Sequence, residues 1–207
     1  MLIPSVASFL NKAAETWYPE GARKQILYQA AITLKEKLKG DPVPSLLFVC
    51  THNSRRSHFA RVWAEVITYS LTEGKVKVIM ESAGTEATAC NERTVASLER
   101  TGFEVIKGKG DSNPVYHTRY AEDETIPAMK LWSKTLEDNA ISRPLVAVMT
   151  CSDADENCPL VPGASARIRM TFEDPKVSDD TPKERQTYDE RSAQIAAEMH
   201  YLLSQVY

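Results

Sequence analysis

The segment from Leu46 to Ser57 constrains the fold more than any other part of the chain. Its apolar run, Leu46–Val49, is typical of a buried strand and stops at Cys50. A short polar loop follows, and from Arg56 onward apolar residues recur at helical spacing. We expect that helix to bury Phe59, Val62, Trp63, Val66 and Ile67. A strand joined to a helix by so short a loop predicts an α/β fold.

The loop that follows Cys50 has the features of an oxyanion-binding site. Its backbone N–H groups can converge on one point, and the start of the next helix adds unpaired donors and the positive end of the helix dipole. Arg56 supplies a planar guanidinium that matches two oxygens of a tetrahedral anion. The same field favours the nucleophilic thiolate of Cys50; the alternative is an inert, buried cysteine at a strand end. The predicted anion-binding residues are Thr51, His52, Asn53, Ser54, Arg55 and Arg56.

Composition and charge exclude several classes of protein. With 207 residues the chain is long enough for one α/β domain with additions. A formal net charge of -3 argues against general affinity for nucleic acid, and no apolar run reaches the roughly 18 residues that span a bilayer. The N-terminal residues lack the basic start of a signal peptide, which predicts a cytoplasmic location. Four cysteines in that reducing compartment are expected to be catalytic or redox-active rather than structural.

Hydrophobic periodicity divides the chain into a helical extension, residues 1–44, and a catalytic domain, residues 45–207. The extension contains two predicted helices, Val6–Trp17 and Gly21–Leu38, which either pack on the main domain or form the contact of a homodimer. Further helices are predicted after Asn91 and from about Pro182. The segment 108–140 is predicted to be an insertion or lid with a strand-like stretch, Pro114–Tyr120. The predicted strands are Ser45–Val49, Lys75–Met80, Val105–Ile106, Leu145–Thr150 and Ala166–Phe172.

Alternating strands and helices predict a parallel sheet with helices on both faces, and such sheets bind ligands beyond the carboxyl ends of their strands. Cys50, Cys151 and Asp174 all follow predicted strands. Asp174, followed by Pro175, is a candidate general acid, although Asp-Pro also opens surface turns. Cys151 and Cys158 lie seven residues apart in an acidic loop. Zinc favours closer pairs and more ligands, whereas a disulfide between these thiols can form after the loop rearranges.

Four motifs, in this order, resemble those of the low-molecular-weight protein tyrosine phosphatases and the thioredoxin-coupled arsenate reductases. They are Cys50–Ser57, Ser82–Thr85, Cys151–Cys158 and Asp174–Pro175. Both groups share the first loop and the Asp-Pro, whereas the second and third thiols are found in the reductases. The resemblance covers about residues 45–206. It implies a parallel four-stranded sheet flanked by helices, with the N-terminal helices as an extension.

The resemblance implies that Cys50 attacks the arsenic of arsenate, or the phosphorus of a phosphorylated substrate. Arg56 and the loop amides would hold the oxygens, and Ser57 would steady the sulfur. Asp174 would protonate the leaving oxygen. The phosphatases complete the reaction by hydrolysing the phosphoenzyme, and that activity is the alternative function.

In the reductases the resemblance implies a relay of thiols. Cys151 would attack the sulfur of Cys50, which releases arsenite and leaves a Cys50–Cys151 disulfide. Cys158 would then resolve that disulfide, and a thioredoxin-like dithiol would reduce the Cys151–Cys158 bond. The chemistry implied needs an external reductant but no bound cofactor and no metal.

The chain also departs from the pattern that it resembles. In the loop of the proteins that it resembles, glycine is common at the position of His52, and cysteine is frequent at the position of Arg55. Some reductases hold a potassium ion with an acidic residue where this chain has Arg61, so no cation site is expected. In the phosphatases, aromatic residues follow the Asp-Pro and stack on phosphotyrosine. Lys176–Asp180 contains no aromatic residue, which weakens the tyrosine phosphatase interpretation. A third hypothesis is an oxyanion or redox sensor without turnover.

Other chemically notable side chains are given structural roles. Cys90 is predicted to be a buried or helix-start thiol. Three histidines show no ligand spacing and are predicted to lie at the surface or in packing: His58, His117 and His200. Three aromatic residues are expected in the core or at a partner surface: Tyr116, Tyr120 and Trp132.

Overall fold

The computed structural model describes residues 1–137, 144–157 and 160–207, which contain alternating helices and strands. The helices are α1 (Pro4–Thr16), α2 (Gly21–Lys37), α3 (Arg56–Thr72), α4 (Glu92–Thr101), α5 (Ser152–Asn157) and α6 (Glu184–Leu203). The strands are β1 (Ser45–Cys50), β2 (Met80–Gly84), β3 (Glu104–Lys107), β4 (Tyr116–Arg119), β5 (Met129–Leu131), β6 (Leu145–Met149) and β7 (Ala164–Arg169). A short 3-10 turn, Pro175–Ser178, precedes α6.

Four of the strands form a parallel sheet in the order β2-β1-β6-β7. The register sets Val49 of β1 beside Ala83 of β2 and Met149 of β6, so these three strands end at the same edge. Every residue of β1 and β6 is buried, as expected for parallel strands covered on both faces. The prediction of a parallel four-stranded sheet flanked by helices is confirmed.

The two faces of this sheet bury separate apolar clusters, because successive side chains of a strand point to opposite faces. The larger cluster contains Phe48 of β1 and Trp63 of α3. The smaller cluster contains Leu47 and Val49 of β1, and it also includes Cys50, where β1 ends, and Cys151. Two of the predicted relay thiols are therefore packed in one apolar cluster at the carboxyl edge of the sheet.

The second strand of the sheet differs from the prediction. The sequence predicts a strand at Lys75–Met80, whereas β2 begins at Met80 and ends at Gly84. The apolar side chains of Val76 and Ile79 are 40% and 55% exposed, so they lie outside the sheet. Instead, β2 contains small residues, which are weak strand formers and give little periodic signal.

Two strands of the predicted insertion, β4 and β5, join β3 in a second, antiparallel sheet in the order β3-β4-β5, and β4 lies within the predicted strand Pro114–Tyr120. The chain then returns to the first sheet. The N–H of Gly84 donates to the carbonyl of Lys134 at 2.8 Å, and the N–H of Leu136 donates to the carbonyl of Gly84 at 3.1 Å. The segment therefore borders the end of β2; residues 138–140 of the same prediction lie outside the described residues.

The N-terminal segment contains two helices, close to the predicted bounds. Pro4 opens α1, where its missing N–H costs no hydrogen bond. α1 packs on α6, and α2 packs on α6 and β7. The domain boundary at residue 44 stays a prediction. None of the described helices has the length and apolar character needed to cross a membrane.

Candidate active site

The loop between β1 and α3 turns several carbonyl groups away from its centre. The carbonyls of Thr51, His52 and Ser54 accept hydrogen bonds from Glu86 N (2.8 Å), Ser133 Oγ (2.8 Å) and Asn91 N (3.0 Å). In a trans peptide the C=O and the following N–H point in opposite directions. The N–H groups of the residues that follow, His52, Asn53 and Arg55, therefore point into the loop. This arrangement suits an anion at the loop centre.

Asn53 fixes the shape of the loop from within. It is buried and adopts a left-handed φ of 45°, a conformation that asparagine tolerates better than most residues. Its Oδ1 accepts a hydrogen bond from the N–H of Lys134 at 3.0 Å. Its Nδ2 donates to Ser57 Oγ at 2.9 Å. The side chain thereby ties the loop both to the segment after β5 and to the start of α3.

Ser57 lies at hydrogen-bond distance from the predicted nucleophile, with 3.1 Å between Ser57 Oγ and Cys50 Sγ. Because Ser57 Oγ already accepts a hydrogen bond from Asn53 Nδ2, its own O–H is available to the sulfur. Asn53 and Ser57 thus form a chain of donors that ends on the predicted nucleophile, Cys50.

Arg56 and Asp174 meet on the other side of the loop. Arg56 Nη2 lies 2.7 Å from Asp174 Oδ2, and Nη1 donates to the carbonyl of Phe172 at 3.1 Å. The Arg56 side chain is 8% exposed and that of Asp174 is 27% exposed, so the carboxyl group lies nearer the solvent. Asp174 also caps the turn that follows, since its Oδ1 accepts from the N–H of Lys176 at 3.1 Å. The predicted anion ligand and the predicted general acid are therefore in contact.

Arg55 belongs to a network that the sequence does not reveal. Its Nε donates to the Tyr188 hydroxyl at 2.8 Å, and that hydroxyl donates to Asp179 Oδ1 at 2.8 Å. Arg55 Nη2 lies 3.4 Å from Asp179 Oδ2. Burial raises the pKa of Tyr188, so the phenol remains a neutral donor. Sequence separations of more than 120 residues hide these contacts from any local pattern.

Cys151 lies beside the same loop. It is buried, and its Sγ is 3.5 Å from Thr51 Oγ1 and 3.3 Å from the N–H of Ala154. The acidic stretch after Cys151, predicted as a loop, is the helix α5, and Asp153 and Asp155 in its first turn suit the positive end of a helix. Cys158 lies outside the described residues. Among the described cysteines, Cys50, Cys90 and Cys151 are free thiols.

Comparisons with known proteins return curated relatives that are named arsenate reductase. An arsenate reductase of Staphylococcus aureus (strain Newman) is 28% identical over 131 residues, which cover 63% of this chain and 78% of the relative. Arsenate reductase 2 of Staphylococcus epidermidis is 27% identical over the same shares of both chains. These relatives support the predicted resemblance to the arsenate reductases and low-molecular-weight tyrosine phosphatases. It is a cysteine-based enzyme.

The comparison with solved structures returns a phosphatase and an arsenate reductase. A low-molecular-weight phosphotyrosine phosphatase from Vibrio cholerae is 13% identical with a TM-score of 0.48, covering 78% of this chain and 95% of that one. An arsenate reductase from Archaeoglobus fulgidus is 19% identical with a TM-score of 0.45, covering 73% and 96%. No family model matches the sequence.

Gly84 of β2 lies against the loop that follows Cys50. A Cβ at this position would lie 2.4 Å from the carbonyl oxygen of Glu86, 2.5 Å from that of Thr51 and 2.7 Å from the Asn53 nitrogen. All three are backbone atoms, so the loop itself would have to move. Gly84→Ala should therefore lower kcat/KM for an aryl phosphate by about 100-fold, the effect expected of a displacement of about 1 Å.

The matched control for this prediction is Gly40→Ala. There the new Cβ would meet its nearest backbone atom at 3.1 Å, outside the active site. Titration calorimetry with inorganic phosphate should show weaker binding for Gly84→Ala alone. Equal phosphate affinity in both variants would show that β2 does not set the loop geometry.

Cys90 is buried, as the sequence predicts, and its chemistry differs from that of a nucleophile. Burial raises the pKa of the Cys90 thiol to about 12. At pH 8 its thiolate fraction is then about 1 in 10,000. Iodoacetamide should therefore leave Cys90 unlabelled in the folded protein while it alkylates Cys50, and peptide mass mapping can follow both. Labelling of Cys90 at the rate of Cys50 would contradict the buried assignment.

Behind the loop, two buried polar side chains have packing roles. His58 is buried with Nδ1 at 3.2 Å from Ser82 Oγ, and burial lowers the pKa of His58 well below its ordinary value. Arg61 is also buried, and donates to the carbonyls of Met80 (2.9 Å) and Lys130 (2.6 Å). Its guanidinium ties α3 to both sheets. In the described ranges no group of three His, Cys, Asp or Glu side chains is arranged to hold a metal ion.

Proposed function

We propose that this enzyme reduces arsenate to arsenite through a thiol relay of Cys50, Cys151 and Cys158. The observation that carries the proposal is the position of Cys151, whose sulfur lies 3.5 Å from the hydroxyl of Thr51, the residue next to Cys50. Curated relatives named arsenate reductase support the substrate. The free thiols and the external dithiol that the relay needs suit a reducing, cytoplasmic compartment.

The first step is nucleophilic substitution at arsenic. The Cys50 thiolate forms a bond to arsenic as an As–O bond breaks, and Asp174 gives its proton to the departing oxygen. Arg56 turns from Asp174 to the bound anion, and the inward N–H groups of the loop hold the other oxygens. Arsenic is still in its pentavalent state at this point.

Reduction takes place in the second step. The sulfur of Cys151 attacks that of Cys50, the S–As bond breaks, and its electron pair passes to arsenic, which leaves as arsenite. The N–H of Ala154, 3.3 Å from Cys151 Sγ, donates a hydrogen bond to the attacking sulfur. The products are arsenite and a Cys50–Cys151 disulfide.

In the third step the Cys158 thiol attacks the sulfur of Cys151, the Cys50–Cys151 bond breaks, and Cys50 leaves as the free thiol. The resulting Cys151–Cys158 disulfide is then presented to a thioredoxin-like dithiol, which restores both thiols.

A trapped intermediate tests the proposal. Cys158→Ser, incubated with arsenate, should accumulate a Cys50–Cys151 disulfide and one arsenite per chain, as read by peptide mass spectrometry and an arsenite assay. The unchanged protein without reductant should end with Cys151–Cys158 oxidised instead. If Cys158→Ser forms no disulfide, or pairs Cys50 with Cys90, the relay order is wrong.

A second candidate function is hydrolysis of phosphomonoesters at the same site. It uses Cys50, Arg56 and Asp174 in the same roles, with water in place of Cys151 in the second half of the reaction. The observation that favours it is a large polar cleft beside the loop, which an inorganic oxyanion does not need.

A further inference from the structure

The N-terminal helices reach the segment that carries Asp174. Arg23 Nη2, in the first turn of α2, donates to the carbonyl of Thr171 at 3.2 Å. The guanidinium carbon of Arg23 lies 5.1 Å from the centre of the Phe172 ring, within the range of a cation–π contact. Asp174 follows Phe172 by two residues. Arg23 therefore contacts two of the three residues that precede the predicted general acid.

Residues 170–174 depend on such contacts, because they form no regular structure between the end of β7 and the 3-10 turn. The N–H groups of Met170 and Phe172 donate to carbonyls at and just beyond the end of β6, at 2.9 and 3.1 Å. The hydrogen bond from Arg23 to Thr171 adds an attachment from α2. The path of the chain toward the acid is thus set partly by the N-terminal extension.

The same segment meets the anion ligand. The carbonyl of Phe172 accepts from Arg56 Nη1 at 3.1 Å, and Asp174 Oδ2 lies 2.7 Å from Arg56 Nη2. Arg56 is the first residue of α3, so its backbone is fixed by that helix. The backbone of Asp174 has no comparable support, since it caps a turn of only four residues. A shift of residues 170–174 would therefore move the acid more than the anion ligand.

Glu198 of α6 holds Arg23 in place. Its Oε2 accepts from Arg23 Nε at 2.9 Å and from Nη2 at 2.5 Å, and its Oε1 accepts from Gln194 Nε2 at 3.0 Å. The side chain of Glu198 is 4% exposed, so this pair is largely withdrawn from water. The first turn of a helix disfavours a cation, because it is the positive end of the helix dipole. The position of Arg23 is therefore explained by its tertiary partners and not by α2 itself.

We infer that Arg23 is a positioning residue for Asp174, and that the N-terminal extension thereby sets the efficiency of proton transfer to the leaving oxygen. The planar guanidinium binds Glu198, donates to Thr171 and lies over Phe172 at the same time, which a lysine ammonium cannot do in one fixed geometry. The inference rests on the acid role of Asp174 in the proposed function but not on the thiol relay.

Arg23→Lys tests the inference without leaving a buried carboxylate unpaired, which by itself would destabilise the fold. The kcat for phenyl phosphate should fall about tenfold, part of the roughly 100-fold that a displacement of about 1 Å costs. The kcat for nitrophenyl phosphate, whose leaving group departs without a proton, should be unchanged, and so should the affinity for inorganic phosphate in titration calorimetry. No fall for phenyl phosphate, or an equal fall for both esters, would overturn the inference.

A double variant shows whether Arg23 acts through the acid. When Asp174→Asn has already removed the proton donor, adding Arg23→Lys should cost no further activity on phenyl phosphate, because the two changes affect one step. Losses that multiply in the double variant would mean that Arg23 supports the fold and not the acid. Such a non-additive result cannot arise from general destabilisation.

Lys35→Gln is the matched control within the same helix. Lys35 also joins α2 to the C-terminal end of the chain, through a hydrogen bond from Nζ to the carbonyl of Gln205 at 3.2 Å. It lies about 18 Å along α2 from Arg23, so its loss should leave both ester rates unaltered. A failed thiol relay would not affect these rates, since hydrolysis does not use Cys151. An unchanged protein that hydrolyses neither ester would overturn the inference.

Discussion

Replacing Cys151 with serine should end multiple-turnover arsenate reduction, with less than one arsenite released per chain. A serine hydroxyl cannot form a disulfide with Cys50. The S–As bond therefore cannot break with its electron pair passing to arsenic, and arsenic is not reduced. Hydrolysis of a small aryl phosphate should be essentially unchanged, because its second half uses water. The measurement is arsenite release with excess thioredoxin, beside release of the phenol from the ester.

The matched control for this variant is Cys90→Ser. Cys90 is as buried as Cys151 but has no thiol or loop contact of the kind that Cys151 makes with Thr51 in the described structure. The control should keep both activities and thus account for any cost of placing a hydroxyl in the core. Arsenate turnover that persists in Cys151→Ser would remove the relay and leave the phosphatase as the better assignment.

The sequence predicts the parts of this site that lie within one stretch of chain. One contiguous segment contains the strand before Cys50, the loop and the helix from Arg56. Hydrophobic periodicity and the signals of a helix start therefore predict all three. The ends of β1 and β6 also follow from sequence, because buried parallel strands read as continuous apolar runs. The positions of Cys50 and Cys151 at one edge of the sheet follow from this.

Contacts between distant segments are what the sequence does not reveal. Tyr188 and Asp179 hold Arg55 through tertiary packing of α6, and neither residue stands in a pattern that marks it. β2 is hidden for a different reason: Gly84 is required by the close approach of the loop, and such residues weaken the strand signal. The acidic composition of α5 suggests a loop, but the segment is a helix. Its acidic residues lie in the first turn, where negative charge is favourable.

Asp174→Asn should separate binding of the anion from the chemical step. The amide cannot supply a proton, and loss of a general acid lowers the rate by about 100- to 10,000-fold. Phosphate should bind as tightly or more tightly than to the unchanged protein, because Arg56 loses the carboxylate that lies 2.7 Å away and competes with the anion. We therefore expect a fall in kcat with a KM that is unchanged or lower.

The leaving group provides the sharper form of this prediction. Phenol, with a pKa of about 10, needs a proton as it departs, whereas the more acidic nitrophenol departs as an anion. The rate for phenyl phosphate should therefore fall much further in Asp174→Asn than the rate for nitrophenyl phosphate. Asp180→Asn makes the same change at an exposed carboxylate six residues on, where the backbone is left-handed and suits asparagine, and should leave both rates unaltered. An equal fall for both esters in Asp174→Asn would mean that Asp174 positions Arg56 and does not act as the acid.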